Sequence, residues 1–207
     1  MTEIIPGILV HTLKELKKEL NKIKWAKKVH IDIMDGKFVP NKTIQAMALK
    51  KALPKMDMQI HLMAYKPHKY VQQYARLGAK ELIFHAEATK KTAETLEMIR
   101  EKGMKAGIAF NPETKIDSDA VKHADIALVM TVHPGYSGQA LIKKPLKKIN
   151  EIKKQNPVIK TGVDGGISTS TCCLAMRAGA DFAVATHAVT EAKDPKKAYK
   201  EMTKKCQ

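Results

Sequence analysis

Four residues of this sequence have the types to bind a cation and move protons: His30, Asp32, His61 and Asp164. Each interrupts or ends a short apolar run. The first run reads His30-Ile31-Asp32-Ile33-Met34-Asp35-Gly36, the second closes on His61-Leu62-Met63, and the third on Val163-Asp164-Gly165-Gly166. If these runs are strands, their two-residue alternation puts His30, Asp32 and Met34 on one face. Two imidazoles and two carboxylates suit a divalent ion such as Zn²⁺, Fe²⁺ or Mn²⁺. One strand-end histidine is more often a hydrogen-bonded structural residue, but four such residues at strand ends are much harder to explain that way. Glycines supply a second feature. His133-Pro134-Gly135-Tyr136-Ser137-Gly138-Gln139 and Gly165-Gly166 could let backbone N–H groups approach an anion closely. Glycine after a strand is also ordinary turn chemistry, so these segments gain meaning only beside the candidate metal residues.

The elements that must carry these residues follow from periodicity. Short, nearly continuous apolar runs occur at Ile4–Leu9, Val29–Ile33, Met58–Met63, Leu82–His85, Ala106–Phe110, Ile126–Val132, Ile159–Asp164 and Phe182–Ala185. They read as strands covered on both faces. Amphipathic helical patterns lie between them, at Leu13–Ile23, His68–Leu77, Thr92–Glu101, Pro145–Lys154 and Ser170–Arg177. Gly78, Gly103 and Gly179 stand where a left-handed helix cap would return the chain to the next strand. Eight strand–helix units of about 25 residues fit the length, favouring a single closed (β/α)8 barrel over residues 1–207. Spacing alone does not exclude an open doubly wound sheet. In a (β/α)8 barrel, catalytic groups gather at the C-terminal strand ends, where the four candidates stand.

Composition narrows the class. No apolar run approaches the roughly 20 residues that cross a bilayer, and no basic-then-apolar leader opens the chain, so we expect a cytoplasmic protein with no membrane partner. The net charge of +16 raises the possibility of a nucleic-acid binder. Its lysines, such as Lys14, Lys17, Lys18 and Lys22 or Lys143, Lys144, Lys147 and Lys148, are instead spread along helical patterns without interleaved aromatics. We read them as a solvated surface, with no nucleic-acid partner, whose field could speed arrival of an anionic substrate. Cys172, Cys173 and Cys206 show neither a C-x-x-C pair nor a Cys/His zinc spacing and read as ordinary reduced thiols.

Specific motifs sharpen this. HIDIMDGKFVPN from His30, HLM from His61, HAEA from His85, AGIAFNPET from Ala106, VMTVHPGYSGQ from Val129 and VDGGI from Val163 resemble the signatures of ribulose-phosphate 3-epimerases. The opening PGILV is similar to that family's PSIL, and the resemblance runs in order from Ile5 to about Ala188. It implies a TIM barrel of the ribulose-phosphate-binding type. It also implies a divalent metal on His30, Asp32, His61 and Asp164, with Asp32 and Asp164 as the acid/base pair. A phosphorylated ketose would be epimerised at C3 through an enediolate, interconverting D-ribulose 5-phosphate and D-xylulose 5-phosphate. Met34, Met63 and Met130 match the apolar cap of the site. The phosphate contacts map to Gly135, Tyr136, Ser137 and Gly138, a segment that resembles a lid, and to Gly165 and Gly166. The resemblance further suggests a homo-oligomer.

The sequence departs from the family pattern at the substrate end. Gly7 stands for a serine, Thr186-His187 for a phosphate-gripping Gly-Ser, His133 for an asparagine and Ser137 for a glycine. No metal ligand or carboxylate is lost. These changes keep open another ketose phosphate, such as D-allulose 6-phosphate, as substrate. A non-catalytic sugar-phosphate-binding barrel is a further alternative. The lyases of this fold class carry a D-x-K-x-x-D signature, and the comparable stretch here has Met34 in place of the lysine.

Overall fold

Residues along each apolar run alternate between two apolar surroundings. In the computed structural model, which describes residues 2–53 and 55–206, the eight runs are parallel strands closed into one barrel in chain order. They are β1 (Glu3–Ile8), β2 (Lys28–Met34), β3 (Asp57–Met63), β4 (Glu81–His85), β5 (Lys105–Phe110), β6 (Ile126–Met130), β7 (Lys160–Asp164) and β8 (Phe182–Ala185). Each lies within two residues of its predicted bounds. The helices are α1 (Leu13–Lys22), α2 (Ala46–Leu49), α3 (Val71–Arg76), α4 (Thr92–Glu101), α5 (Ser118–His123), α6 (Lys147–Gln155), α7 (Cys172–Arg177), α8 (His187–Thr190) and α9 (Pro195–Lys205).

Val29, Ile31 and Ile33 of β2 belong to the large apolar layer between strands and helices, with Leu16, Ile23 and Leu49. Ile5, Ile83, Leu128, Phe182 and Val184 form a separate apolar cluster inside the barrel. The Phe182 ring depends on the strand beside it: a Cβ on Gly162 would lie 2.1 Å from Phe182 Cζ. Burying such a ring contributes about 1.5–3 kcal/mol, and any larger residue at 162 would forfeit it. The barrel interior is therefore a packed core whose polar residues are exceptions.

Helix boundaries follow local chemistry. Thr12 caps α1 with Glu15 in a reciprocal capping box, Asp117 accepts from Asp119 and Ala120 at the start of α5, and Asp194 with Pro195 opens α9. Three predicted helices begin later than their patterns suggest: α7 starts at Cys172, two residues after Ser170, and prolines delay the other two. Pro67 and Pro145 each sit in a preceding 3₁₀ turn, so α3 starts at Val71 and α6 at Lys147. Gly78, Gly103 and Gly179 adopt φ of 80°, 77° and 85°, the cap conformation expected of them. Lys14, Lys17, Lys18, Lys143, Lys144 and Lys147 are exposed or half-exposed, whereas Lys22 and Lys148 are half-buried and reach backbone carbonyls. Among the described residues, no helix is long and apolar enough to cross a membrane.

Candidate active site

Strand register assembles the site. β2 and β3 pair with Asp32 opposite His61 and Met34 opposite Met63, and β6 and β7 pair with Met130 opposite Asp164. Backbone pins hold the strand ends: Thr43 Oγ1 donates to the Asp32 carbonyl at 2.8 Å, and Thr131 Oγ1 donates to the Asp164 carbonyl at 3.0 Å. One donor atom from each of His30, Asp32, His61 and Asp164 falls within a group spanning no more than 4.8 Å. His61 Nδ1 lies 2.9 Å from Asp32 Oδ1 and 3.4 Å from Asp164 Oδ2, while His30 Nε2 lies 3.3 Å and 3.6 Å from the same two oxygens. Four residues from three strands thus meet at one point.

This donor set fits a divalent cation. The buried His30 Nε2 has no hydrogen-bond partner, and its other ring nitrogen explains the arrangement. His30 Nδ1 lies 2.6 Å from Gln59 Oε1, an acceptor, so Nδ1 carries the proton and Nε2 offers a lone pair toward the carboxylates. The electrostatics also call for positive charge here. Burial pushes the Asp32 carboxyl up, but the adjoining His30 and His61 imidazoles outweigh it and hold Asp32 well below the usual carboxylate range. Burial favours neutral His61, yet hydrogen bonds to Asp164 and Asp32 raise it to about 9.

Several polar residues behind these four carry no role in the sequence motifs. Gln59 Nε2 donates to Glu81 Oε2 at 2.5 Å, and Lys28 Nζ donates to Glu81 Oε1 at 2.6 Å. This column therefore runs through the barrel from Lys28 to His30. On the other side, His61 Nε2 and His85 Nε2 are 2.9 Å apart with the rings stacked, and His85 Nδ1 lies 3.4 Å from Glu87 Oε2. Burial lowers His85, with Glu87 opposing, so at neutral pH its imidazole can accept at Nε2 and present Nδ1–H to Glu87. That chain leaves His61 Nδ1 facing the carboxylates. Glu87, pushed up by burial but pulled down further by hydrogen bonds with His85 and Thr114, sits at about 2. The signals available in the sequence were a strand-end histidine followed by Ala-Glu, and polar residues inside apolar strands.

Above the four donors lies a cavity of about 470 Å³. Asp32 and Asp164 reach its floor, and His30 and His61 are fully buried beneath. Met34, Met63 and Met130 line it while remaining nearly inaccessible to solvent. Gly135, Tyr136, Ser137, Gly138, Gly165, Gly166, Thr186 and His187 also line it. The segment after β6 crosses toward the loop after β2: Asn41 Nδ2 donates to the Gly135 carbonyl at 2.6 Å, and Tyr136 Oη to the Pro40 carbonyl at 3.4 Å. Asp35 organises the second of these loops, accepting from Lys37, Phe38 and Tyr65 backbone N–H groups. Gly166, at φ 66°, lets the turn after β7 approach the other wall, since a Cβ there would meet Leu141 N at 2.4 Å. His133 pairs with Glu113 at 3.4 Å, and it is not part of the cavity lining.

Gly7 does not line the cavity either. A Cβ at Gly7 would lie 2.1 Å from Thr186 Oγ1 and 3.1 Å from Thr186 Cβ. The Thr186 side chain thus occupies the space that a side chain on β1 would need. Two departures from the family pattern that are far apart in sequence are one adjustment in space.

Comparison with known proteins agrees with this geometry. Residues 3–190 match the model of the ribulose-phosphate 3 epimerase family. The chain is 37% identical over 215 residues to the ribulose-phosphate 3-epimerase of Bacillus subtilis (strain 168), covering 98% of each chain. It is 36% identical over 202 residues to that of Schizosaccharomyces pombe, covering 93% of this chain and 89% of the relative. Among solved structures, KGPDC from Streptococcus mutans superposes with a TM-score of 0.74 at 14% identity, covering 100% of this chain and 97% of that one, a likeness of fold alone. With motifs, register and relatives in agreement, this chain belongs to the ribulose-phosphate 3-epimerase family.

Proposed function

We propose that this protein interconverts D-ribulose 5-phosphate and D-xylulose 5-phosphate by moving the C3 proton between Asp32 and Asp164. The observation that carries this reading is the meeting of two carboxylates, from the non-adjacent strands β2 and β7, at the floor of one cavity. The C3 proton of a 2-ketose is acidified by the neighbouring carbonyl. A carboxylate held ionised at neutral pH, as Asp32 is, can remove it, and the second carboxylate can return a proton on the other face. Inversion needs two such groups, and the direction of reaction decides which acts first. His30, Asp32, His61 and Asp164 would hold a divalent ion, Zn²⁺, Fe²⁺ or Mn²⁺. When bound, the ion supplies Lewis-acid stabilisation of negative charge developing on the substrate oxygens.

The remaining roles belong to the chain itself. Met34, Met63 and Met130 form a polarizable wall that keeps water from the carbanionic centre. Backbone N–H groups in the Gly165-Gly166 and Thr186-His187 turns would grip the phosphate, because such donors survive any change of side chain. The segment from Gly135 to Gly138 would close over the bound sugar. A lyase reaction of the D-x-K-x-x-D type lacks its lysine, because Met34 holds that position.

The decisive test assays the purified protein with D-ribulose 5-phosphate, alone and with Fe²⁺, Zn²⁺ or Mn²⁺, and with D-allulose 6-phosphate in parallel. Conversion of the pentulose phosphate with higher kcat/KM supports the proposal. A preference for the hexulose phosphate would move the substrate assignment. Binding of either without turnover, under every metal, would refute the catalytic reading.

A further inference from the structure

All three cysteines of the chain meet at one place, outside the catalytic cavity. Cys172 and Cys173 are consecutive residues at the start of α7, and Cys206 is the residue that ends α9. Their sulfurs lie within 4.8 Å of one another, and all three are free thiols. Cys172 and Cys206 are fully buried, and Cys173 is half-buried, so the group has one side toward solvent. The thiols find only long contacts to carbonyls: Cys172 to Thr169 at 3.9 Å and Met202 at 4.0 Å, and Cys173 to Lys205 at 3.6 Å. None of the three lines the catalytic cavity, although Thr171 and Leu174 of the same wall do.

From this we infer that Cys172, Cys173 and Cys206 form a second metal site, a three-sulfur seat for a soft d¹⁰ cation of the Cu⁺ or Zn²⁺ class. Metal–sulfur bonds of about 2.3 Å at trigonal angles place the sulfurs about 4 Å apart. The observed spread needs only a small contraction, within reach of side-chain rotation. Thiolates are the ligands that select such ions over the harder cations suited to the aspartates. Among the described residues no histidine or carboxylate joins the group, so Zn²⁺ would complete its shell with solvent on the Cys173 side, whereas Cu⁺ needs only the three sulfurs. A disulfide is the competing use of these thiols. It accounts for two of them at most, and the adjacent pair Cys172–Cys173 has the wrong geometry for one.

The consequence is a clamp on the end of the chain. The Cys206 carbonyl accepts from Thr2 N at 3.2 Å, and Thr2 Oγ1 donates to the Ala180 carbonyl at 2.8 Å. An ion joining Cys206 to α7 would fasten α9 and, through Thr2, the start of β1. Each thiol gives up its proton to solvent as the ion binds, and no electron transfer is involved.

The test is an anaerobic Cd²⁺ titration of the reduced full-length protein, followed by sulfur-to-cadmium charge-transfer absorption in the ultraviolet. Cadmium on the imidazole–carboxylate site gives no such band, so the readout separates the two sites. We expect the band to saturate at one sulfur-bound ion per chain and the melting temperature to rise with it. Cys206→Ser and Cys173→Ser should each weaken the band's Cd²⁺ affinity at least tenfold and leave ketose-phosphate turnover intact. Cys173 is only half-buried, so its variant keeps the test valid if Cys206→Ser fails to fold. Absence of the band in wild-type protein, or an unchanged titration in Cys173→Ser, overturns the site. So does a thiol count of one in the unfolded, metal-stripped protein as purified, which would reveal a disulfide between Cys206 and one of its two neighbours instead.

Discussion

Gly7 and Thr186 should behave as one unit, and a double-mutant cycle reads that coupling. In Gly7→Ser the new Cβ would sit 2.1 Å from Thr186 Oγ1, well inside van der Waals contact, and 3.1 Å from both Thr186 Cβ and Val184 Cγ1. Relief therefore requires another Thr186 rotamer or a shift of the turn after β8. Overpacking of this kind typically costs about 1–3 kcal/mol. Thr186→Gly removes the obstacle, so the double variant should recover most of that loss. The two single changes should then miss additivity by at least about 1 kcal/mol, well above the roughly 0.3–0.5 kcal/mol of independent sites. Urea unfolding of the four proteins gives the cycle, and KM for the ketose phosphate gives its functional side. Because Thr186 lines the cavity, its displacement in the Gly7→Ser variant should raise KM more than it lowers kcat. Additive stabilities, with Gly7→Ser tolerated beside an intact Thr186, would refute the reasoning.

The remaining predictions address the metal and the proton carriers. Chelation should abolish epimerisation and readdition of a divalent ion restore it, whereas full activity in protein shown metal-free by elemental analysis would remove the ion from the reaction. Asp32→Asn and Asp164→Asn should each lower turnover by about 10²–10⁴-fold. In D₂O one of them should still exchange the C3 proton of one epimer, and near-wild-type rates in either would overturn the pairing of roles. Glu87→Gln should weaken metal binding about 10–100-fold if the Glu87–His85–His61 chain sets the His61 tautomer, with an unchanged metal Kd arguing that the chain is only structural. His61 carries a pH signature in metal-free protein. Its folded value of about 9 exceeds 6.5, so its contribution, on the order of 3 kcal/mol, is complete below pH 6.5 and lost as pH rises through 9. Thermal unfolding of the apoprotein should show that decline between pH 6.5 and 9, and the metal-loaded protein should not; parallel curves would contradict it.

The barrel was legible because its strands carry a simple pattern. Both faces of β2 to β8 are buried, so hydrophobic runs mark them without ambiguity, and glycines at 78, 103 and 179 mark the returns. The short helices were less visible. Four-residue α2 and α8 are too brief for a 3.6-residue period to show, and proline moved the starts of α3 and α6. Cys206 gave no sign of its neighbours, because the contact between α7 and α9 depends on how two outer helices pack around a closed barrel, and no local spacing encodes that.

The candidate site was legible to a different depth. His30, Asp32, His61 and Asp164 stood out because a charged or titratable group at the end of an apolar strand demands an explanation. Of their neighbours only His85 meets that criterion; Gln59 is an uncharged residue inside its strand and Glu81 opens its strand, and the partners that give all three meaning are cross-strand. Register makes the connection: Asp32 beside His61, Gln59 beside Glu81, His61 beside Ile83 and next to His85 by alternation. These groups fill barrel space that Phe182 and its neighbours would otherwise fill with apolar atoms, and a buried polar group stabilises only when paired. Hydrogen bonds are continuous from Lys28 through Glu81 and Gln59 to His30, whereas on the other side His85 meets His61 at 2.9 Å and reaches Glu87 only by a longer ionic contact of 3.4 Å. The first chain stops at His30 Nε2. A barrel that lines up these polar neighbours and leaves the His30 Nε2 lone pair facing two carboxylates has an interior that fits a cation. Gln59→Leu should therefore damage metal affinity more than fold stability, because it frees His30 to turn or to take the other tautomer. Isothermal titration of Zn²⁺ beside thermal unfolding would measure both, and a loss of stability with metal affinity intact would mean that Gln59 serves the core alone.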